Sequence, residues 1–162
     1  MTTPRSVRRP LLVVTALLAA AGTTLAAVPS ADADQSLRFS TVKVSANSTE
    51  IDEGPAGSSA GDGEIFVDDV QRRGRSIGNQ AGACTLALVS KARLVSLCST
   101  TISLPAGSLT TQGSFDENPS EGPAGLRWAV TGGTGRYAGA AGEAVGSFRP
   151  SSDIVDWEIR LR

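Results

Sequence analysis

Two adjacent aspartates, Asp68 and Asp69, have the side chains in this sequence best suited to acid–base chemistry. Consecutive residues of a β-strand point to opposite faces, so one carboxylate would face a protein interior and the other would face solvent. An inward carboxylate in an apolar cavity has a raised pKa and can act as a general acid or base. The alternative is that the strand ends here and both aspartates are solvated beside Arg72, Arg73 and Arg75. Asp68 and Asp69 are therefore the candidate catalytic residues.

A glycine-rich run over residues 131–142 fits either a phosphate-binding loop or a tight turn between strands. A dinucleotide-binding loop must open a long helix and lead into further βα units, yet only twenty residues follow Gly142, in two strand-like segments. The turn is therefore favoured. In that turn Arg136 and Tyr137 could orient a ligand, or Tyr137 could plug the end of a barrel while Arg136 faces solvent. Glu143, which follows the turn, could contact the same ligand or pair with an arginine.

The composition excludes several kinds of catalytic site. The chain has no histidine, which rules out Ser-His-Asp triads, Cys-His dyads and histidine zinc sites. The acidic residues are scattered without a recurring ligand spacing, so neither a metal site nor a cofactor is expected. Carboxylate, arginine, tyrosine and backbone groups remain for any chemistry.

The two cysteines, Cys84 and Cys98, lie symmetrically about Lys91 between two strand-like segments. If residues 90–92 form a hairpin turn, the cysteines lie directly opposite each other, with Cβ atoms about 4.5–5.5 Å apart. That separation predicts a disulfide, which would stabilise the fold by about 3 kcal/mol on the chain-entropy model. Two buried free thiols are the alternative.

The N-terminus has the features of a secretory signal peptide. Arg5, Arg8 and Arg9 precede an apolar run over residues 11–28, and a small-x-small cleavage site follows at residues 31–33. The paired arginines loosely resemble a twin-arginine signal, but the general secretory route is favoured. Cleavage would leave 12 basic and 15 acidic residues, so neither a nucleic acid nor an anionic membrane is expected as a partner. The mature protein is expected to be extracellular.

The rest of the chain predicts an all-β domain, because glycine or proline interrupts nearly every possible helix. Eight short segments are rich in β-branched and aromatic residues. Eight such strands fit a closed antiparallel up-and-down barrel, with a two-sheet sandwich as the alternative. The predicted strands are 38–45, 64–71, 82–89, 93–104, 108–115, 126–131, 143–149 and 154–161.

Four segments occur in an order and spacing that resemble a known family. They are Ala-Gly-Ala-Cys at 81–84, Gly-Ser-Leu-Thr-Thr-Gln-Gly at 107–113, the glycine-rich run at 129–142, and Val-Asp-Trp-Glu-Ile-Arg-Leu at 155–161. Over residues 61–162 the chain resembles the allene oxide cyclase-like barrels and is similar to plant dirigent proteins. The resemblance implies an eight-stranded antiparallel barrel, commonly a homotrimer, whose interior binds a small hydrophobic molecule.

The same resemblance implies a function and assigns residues to it. Known members steer the cyclisation or coupling of reactive intermediates, mainly by confining them. Asp68 or Asp69 falls near a pocket carboxamide or carboxylate of the family, and Cys84 falls at a cysteine that lines the cyclase cavity. The segment that matches the first strand, residues 39–45, lacks the carboxylate that the cyclases carry there.

The sequence therefore predicts three parts and two alternative functions. Residues 1–33 form the signal peptide, residues 34–63 a polar lead with the first strand and a Gly/Pro/Ser loop, and residues 64–162 the remainder of the barrel. The first function is a secreted barrel that binds a small hydrophobic molecule and directs its cyclisation or coupling, as an isomerase-like enzyme. The second is a non-catalytic secreted binding or structural barrel.

Overall fold

The structure, a computed structural model, describes residues 36–123 and 125–162 of the chain. The predicted signal peptide at residues 1–33 lies outside these ranges. Two short 3-10 helices occur in the described residues, Ser45–Asn47 and Gly135–Tyr137. The strands are β1 Ser36–Val42, β2 Ser48–Ile51, β3 Gly63–Arg72, β4 Arg75–Val89, β5 Leu94–Leu104, β6 Gly107–Asn118, β7 Gly122–Pro123, β8 Leu126–Gly133, β9 Gly142–Phe148 and β10 Ile154–Leu161.

Eight of these strands close into an antiparallel barrel. Their order is β1-β10-β9-β8-β6-β5-β4-β3, and β1 pairs with β3 as well as with β10, which closes the ring. The short strands β2 and β7 are added to β3 and β6. The predicted eight-stranded barrel is confirmed. The sandwich alternative is wrong, because the β1–β3 pairing joins the two ends of the sheet.

Each predicted strand overlaps a strand of the barrel, and the largest difference is in β4. This strand begins at Arg75, seven residues before the predicted start at Gly82. It follows a two-residue turn at Arg73 and Gly74, whose φ angles are 54° and 73°, and two successive positive φ angles are what a type I′ hairpin turn requires. Sequence analysis missed the hairpin because Arg-Gly is not among the usual Asn-Gly and Asp-Gly signals.

One end of the barrel is closed by packed side chains. Val70, Ile102, Leu109 and Ile159 come from four different strands and are at most 1% exposed. Tyr137, on the 3-10 helix of the glycine-rich run, is buried in the same cluster. The run is therefore a turn that carries a plug, as the second of the two alternatives predicted, and this end of the interior is solid.

The predicted disulfide is present. Cys84 on β4 and Cys98 on β5 are directly paired, with Cα atoms 4.1 Å apart, and their sulfurs are bonded. A close Cα approach of this kind is typical of the non-hydrogen-bonded pairs of an antiparallel ladder. The bridge ties two neighbouring strands of the barrel wall.

The register that pairs the cysteines depends on a β-bulge. The pairing of β4 with β5 ends at Val89 and Leu94, so the turn spans residues 90–93 and is one residue longer than predicted. Within it, Ser90 N donates to Arg93 O at 2.9 Å. On its own this turn would place Cys84 opposite Ser99. A bulge at Ala87 takes up one residue of β4, which restores the register of the observed cysteine pair.

Glycines on the inner wall accept aromatic rings from the neighbouring strands. A side chain at these glycines would collide with the ring, so the ring can lie flat against the wall only where Cβ is absent. A Cβ would come within 2.8 Å of Phe66 at Gly82, within 2.0 Å of Trp128 at Gly113, and within 3.0 Å of Trp157 at Gly146.

We expect Gly113→Ala to destabilise the barrel by about 1–3 kcal/mol, because the added methyl group overpacks the wall and pushes the Trp128 ring into the interior. Gly132→Ala is the matched control, since its Cβ would approach Thr110 Oγ1 at 3.3 Å. The control should change stability by no more than about 0.5 kcal/mol. Urea unfolding followed by tryptophan fluorescence measures both variants. Equal stability of the two variants would contradict the packing argument.

Candidate ligand-binding cavity

The open half of the barrel contains a cavity of about 610 Å³. Its wall carries the inward-facing residues of the barrel strands, and its mouth is lined by β2 and the loop that follows it. A cavity of this size is within the usual range of small-molecule sites. The apolar lining residues are Ile51, Phe66, Leu86, Phe115, Leu126, Trp128, Phe148, Val155 and Trp157.

The aromatic part of the lining is held in a fixed orientation. The Trp128 and Trp157 rings have centroids 5.2 Å apart and are tilted by 51°. Trp157 Nε1 donates to Thr41 Oγ1 at 3.0 Å, and Trp128 Nε1 donates to the carbonyl oxygen of Ser114 at 3.1 Å. Because both indole N–H groups are bonded to the wall, the rings offer the cavity their apolar surfaces.

Asp68 is the predicted candidate that faces this cavity. It lines the wall on β3 and accepts a hydrogen bond from Val44 N at 3.3 Å. Burial raises the pKa of its carboxyl group, although the Val44 hydrogen bond and the charge of Lys43 oppose the shift. The charge of Glu64 adds to the increase. A carboxyl group with a raised pKa inside a cavity can exchange a proton with a bound molecule.

Asp69 lies on the opposite side of β3 from the cavity. Its carboxylate accepts hydrogen bonds from Ser76 Oγ at 2.5 Å and from Gln71 Nε2 at 2.7 Å. These bonds lower the pKa of Asp69, with Ser76 contributing most. The strand continues past both aspartates to Arg72, so it does not end at them, and the two carboxylates lie on opposite faces of β3.

A second carboxylate, Glu64, lines the cavity four residues before Asp68 on the same strand. Lys43 Nζ donates to Glu64 Oε1 at 2.7 Å, and the Ser48 hydroxyl donates to the same oxygen. Burial acts to raise the pKa of Glu64, but these two hydrogen bonds outweigh it and the pKa is lowered. Glu64 is therefore an ionised, paired group, in contrast to Asp68.

The floor of the cavity is polar. Gln80 is 3% exposed and donates from Nε2 to Thr100 Oγ1 at 3.1 Å, and the hydroxyls of Thr100 and Thr111 are 2.8 Å apart. Gln80 is also the direct cross-strand partner of Asp68. This buried layer separates the cavity from the packed end of the barrel.

The three predicted ligand-binding residues do not line the cavity. Tyr137 is buried in the packed end, and Arg136 is exposed on the turn beside it. Glu143 points outward from β9 and forms a salt bridge with Arg127. The structure therefore does not bring these residues to the cavity, because the glycine-rich run lies at the end of the barrel that carries the plug.

The disulfide is part of the cavity wall. Cys84 and Cys98 both line the cavity, and in the bonded state neither sulfur is a free thiol or a nucleophile. In residues 36–123 and 125–162 no three His, Cys, Asp or Glu side chains are grouped to hold a metal ion. In the same residues no helix is long and apolar enough to cross a membrane.

Sequence analysis missed several lining residues. Glu64 and Phe66 follow from Asp68 by the two-residue period of a strand, so the signal was present in the sequence. Gln80 was missed because the predicted strand began at Gly82. Trp128 was not identified as a lining residue, since a strand pattern does not reveal that the interior is hollow.

The sequence matches the family described as "Allene oxide cyclase barrel like domain" over residues 41–152, which is more than half of the chain. The chain belongs to this allene oxide cyclase-like barrel family. The family resemblance predicted from the sequence is thereby confirmed. A comparison of the sequence with curated proteins finds no match.

Solved structures of other barrels are similar to this member of the family. A "Pyocyanin demethylase" is 27% identical with a TM-score of 0.67, and the match covers 79% of this chain and 100% of that chain. The pterocarpan synthase dirigent protein GePTS1 is 17% identical with a TM-score of 0.63, over 79% of this chain and 88% of that chain. The Diels Alderase AbmU from Streptomyces koyangensis is 17% identical with a TM-score of 0.62, over 78% of this chain and 63% of that chain.

We expect Asp68→Asn and Asp69→Asn to change the pH dependence of stability of this allene oxide cyclase-like barrel in opposite directions. Folded Asp68 keeps its proton to a higher pH than the unfolded chain does, so the free energy of unfolding falls as the pH rises from the unfolded to the folded pKa. Asp68→Asn removes this loss and raises stability at neutral pH. The amide oxygen can still accept from Val44 N.

Asp69 has a lowered pKa, so its ionised form stabilises the fold above the unfolded pKa and this stabilisation is lost as the pH falls through the folded pKa. Asp69→Asn should therefore lower stability at neutral pH. Urea unfolding at a series of values from about pH 3 to about pH 7 measures both variants. Shifts in the same direction would show that the two carboxylates do not differ in burial as described.

Proposed function

We propose that this barrel binds a small hydrophobic molecule in its cavity and steers the cyclisation or coupling of that molecule. The observation that carries the proposal is the 610 Å³ cavity, which combines an aromatic wall with the Asp68 carboxyl group. A rigid apolar cavity restricts the conformations of a flexible or reactive guest, and such restriction alone can supply much of a rate or a selectivity. A single acid–base group then suffices to move a proton.

The named activities of the similar structures support this proposal. One is called a demethylase for pyocyanin, one a pterocarpan synthase and one a Diels Alderase, so the same fold serves several reactions of small molecules. The inner walls of such barrels can differ while the strands remain the same. We therefore assign the present chain a reaction type, with no substrate carried over from the relatives.

The second candidate function is a non-catalytic binding or structural barrel. The observation that favours it is the disulfide, because Cys84 is bonded to Cys98 and leaves no thiol on the cavity wall. The segment around β1 also places Thr41, rather than an acid, in the lining. These features remove two groups that the family resemblance associated with catalysis.

The mature protein is proposed to be secreted. The basic and apolar pattern of residues 1–33 supports export, and a disulfide is typical of proteins that fold in an oxidising compartment. Both arguments are independent of the activity of the barrel.

We further propose that the protein is a homo-oligomer, with a trimer expected from the family resemblance. The outer surface of β8, β9, β10 and β1 carries ion pairs such as Arg127–Glu143 and Arg149–Asp156. The outer surface of β3, β4 and β5 differs. It exposes the apolar side chains of Ile65, Val67 and Leu97, at 51%, 39% and 60% exposure. A second copy of the chain would cover this face.

Binding in the cavity is tested with Nile red, a neutral apolar dye. We expect Ser96→Phe to weaken dye binding about tenfold or more, because Ser96 lines the cavity and the larger ring occupies the space of the guest. Ser147→Phe is the matched control, since Ser147 is exposed on the outside of β9. Loss of binding in both variants, or in neither, would place the dye elsewhere.

Steering is tested with the same variants in the oxidative coupling of an alkenyl-substituted phenol, used as a small apolar probe, by a one-electron oxidant. We expect the wild type and Ser147→Phe to give an excess of one product enantiomer, and Ser96→Phe to give a racemic product. Racemic product from a wild type that binds Nile red would instead favour the non-catalytic binding function. Chiral chromatography of the dimers provides the measurement.

Self-association is tested with Leu97→Lys, which places a charge on the apolar outer face. We expect native mass spectrometry to show an oligomer for the wild type and a monomer for this variant, because an unpaired buried charge is costly at an interface. Ala129→Lys on the ion-paired surface is the control and should leave the oligomer intact. A monomeric wild type would refute the proposal.

A further inference from the structure

The charges that face the cavity all have one sign. Five carboxylates line it, on β2, on the loop after β2 and on β3, and no lysine or arginine is among the described lining residues. These acids are Glu50, Asp52, Asp62, Glu64 and Asp68. Acidic residues alone do not define a ligand, but the hydrogen-bond and ion-pair partners of each carboxylate determine which of them can bind a guest.

The partners leave Asp68 without a counter-ion. Lys43 donates to Glu64 at 2.7 Å and cancels that charge. Asp62 is bonded within its own loop, where it accepts from Glu53 N at 2.8 Å and Ser59 N at 2.6 Å. Asp68 accepts only the Val44 backbone hydrogen bond among the described residues, and that bond is long at 3.3 Å. The Asp68 carboxyl group is therefore free to pair with a guest, and a cationic group beside it would favour its ionised form.

Gln80 provides an independent indication of the same preference. Gln80 is 3% exposed and lines the cavity. It is the direct cross-strand partner of Asp68 on the neighbouring strand. Its Nε2 is engaged by Thr100, while its carbonyl oxygen has no hydrogen-bond partner among the described residues. No buried side-chain N or O atom among the described residues lacks a partner, so this oxygen is reached from the cavity and can accept a hydrogen bond from a guest.

The tryptophan and glutamine N–H donors of the cavity, in contrast, are already bonded to the wall, and the serine and threonine hydroxyls of the lining carry no positive charge. The indole N–H groups of Trp128 and Trp157 are bonded to the wall, as is the amide of Gln80. An anionic guest would therefore lose its hydration without gaining these donors. The aromatic rings of Trp128 and Trp157 in the same lining instead attract a flat body, and their faces also favour positive charge.

We propose that the natural guest is an aromatic or otherwise flat apolar molecule with a cationic or hydrogen-bond-donating nitrogen, which binds between the Asp68 carboxylate and the Gln80 carbonyl. The flat body lies against Trp128 and Trp157. Carboxylate-bearing guests are rejected. This inference rests on the proposed function, because it assumes that the cavity takes up a small hydrophobic molecule.

Three probes with the same ring system test the proposal: anthracenylmethylammonium, anthracenemethanol and anthracenecarboxylate, each substituted on the central ring. Energy transfer from the two tryptophans of the chain to the probe reports binding. We expect the wild type to bind the ammonium probe about tenfold or more tightly than the carboxylate probe, which is the effect of one charge-assisted hydrogen bond.

Asp68→Asn and Asp69→Asn provide a matched pair, since both remove one negative charge from the same strand. We expect Asp68→Asn to weaken binding of the ammonium probe about tenfold and to leave the alcohol probe within about twofold. Asp69→Asn, on the outer face, should leave all three affinities within about twofold of the wild type. Gln80→Leu keeps the volume but removes the acceptor, and should weaken both the ammonium and the alcohol probes.

The outcomes separate the two proposals. If the alcohol probe binds but the carboxylate probe binds as well as the ammonium probe, the guest class is wrong and the binding function stands. The guest class is also wrong if the two aspartate variants behave alike. If none of the three probes binds to the wild type, the proposed binding function fails together with the inference built on it.

Discussion

The hollow interior of this barrel depends on the contact between an aromatic ring and a glycine on the adjacent strand. Gly82, Gly113 and Gly146 have no Cβ, so large rings from neighbouring strands lie along the wall. With any other residue at these positions the rings would have to turn inward. In an eight-stranded barrel the side chains are just large enough to fill the interior. A cavity therefore exists only where the sequence removes side-chain volume from the wall.

Polarity varies around the barrel as well as along its axis. The closed end is apolar, the middle layer of Gln80, Thr100 and Thr111 is polar but internally bonded, and the mouth is acidic on the β2–β3 side. Trp128 on β8 and Trp157 on β10 make another part of the wall aromatic. A guest in this cavity therefore meets a different chemical surface at each end and on each side, and these differences fix its orientation more strongly than size alone.

Much of the fold was readable from the sequence, and less of the site was. The strand periodicity and the turn residues are local signals, so the eight strands and the Cys84–Cys98 pair could be predicted. The bulge at Ala87 could not, because it compensates for a turn that is one residue longer than predicted. The alternation of side chains along a strand explains why Asp68 points inward and Asp69 outward, but only because β3 continues past both residues. That Arg136 and Tyr137 lie away from the cavity could not be predicted, because a sequence does not tell which end of a barrel is filled.

The polar layer of Gln80, Thr100 and Thr111, with the packed core beneath it, makes the cavity a blind tube. A molecule bound there would enter and leave through the mouth, beside the loop anchored by Asp62. Two molecules in such a tube would have to leave in the reverse of the order in which they entered. If two molecules have to meet inside, the one that reaches the floor first is committed until its partner, or their joint product, has cleared the passage.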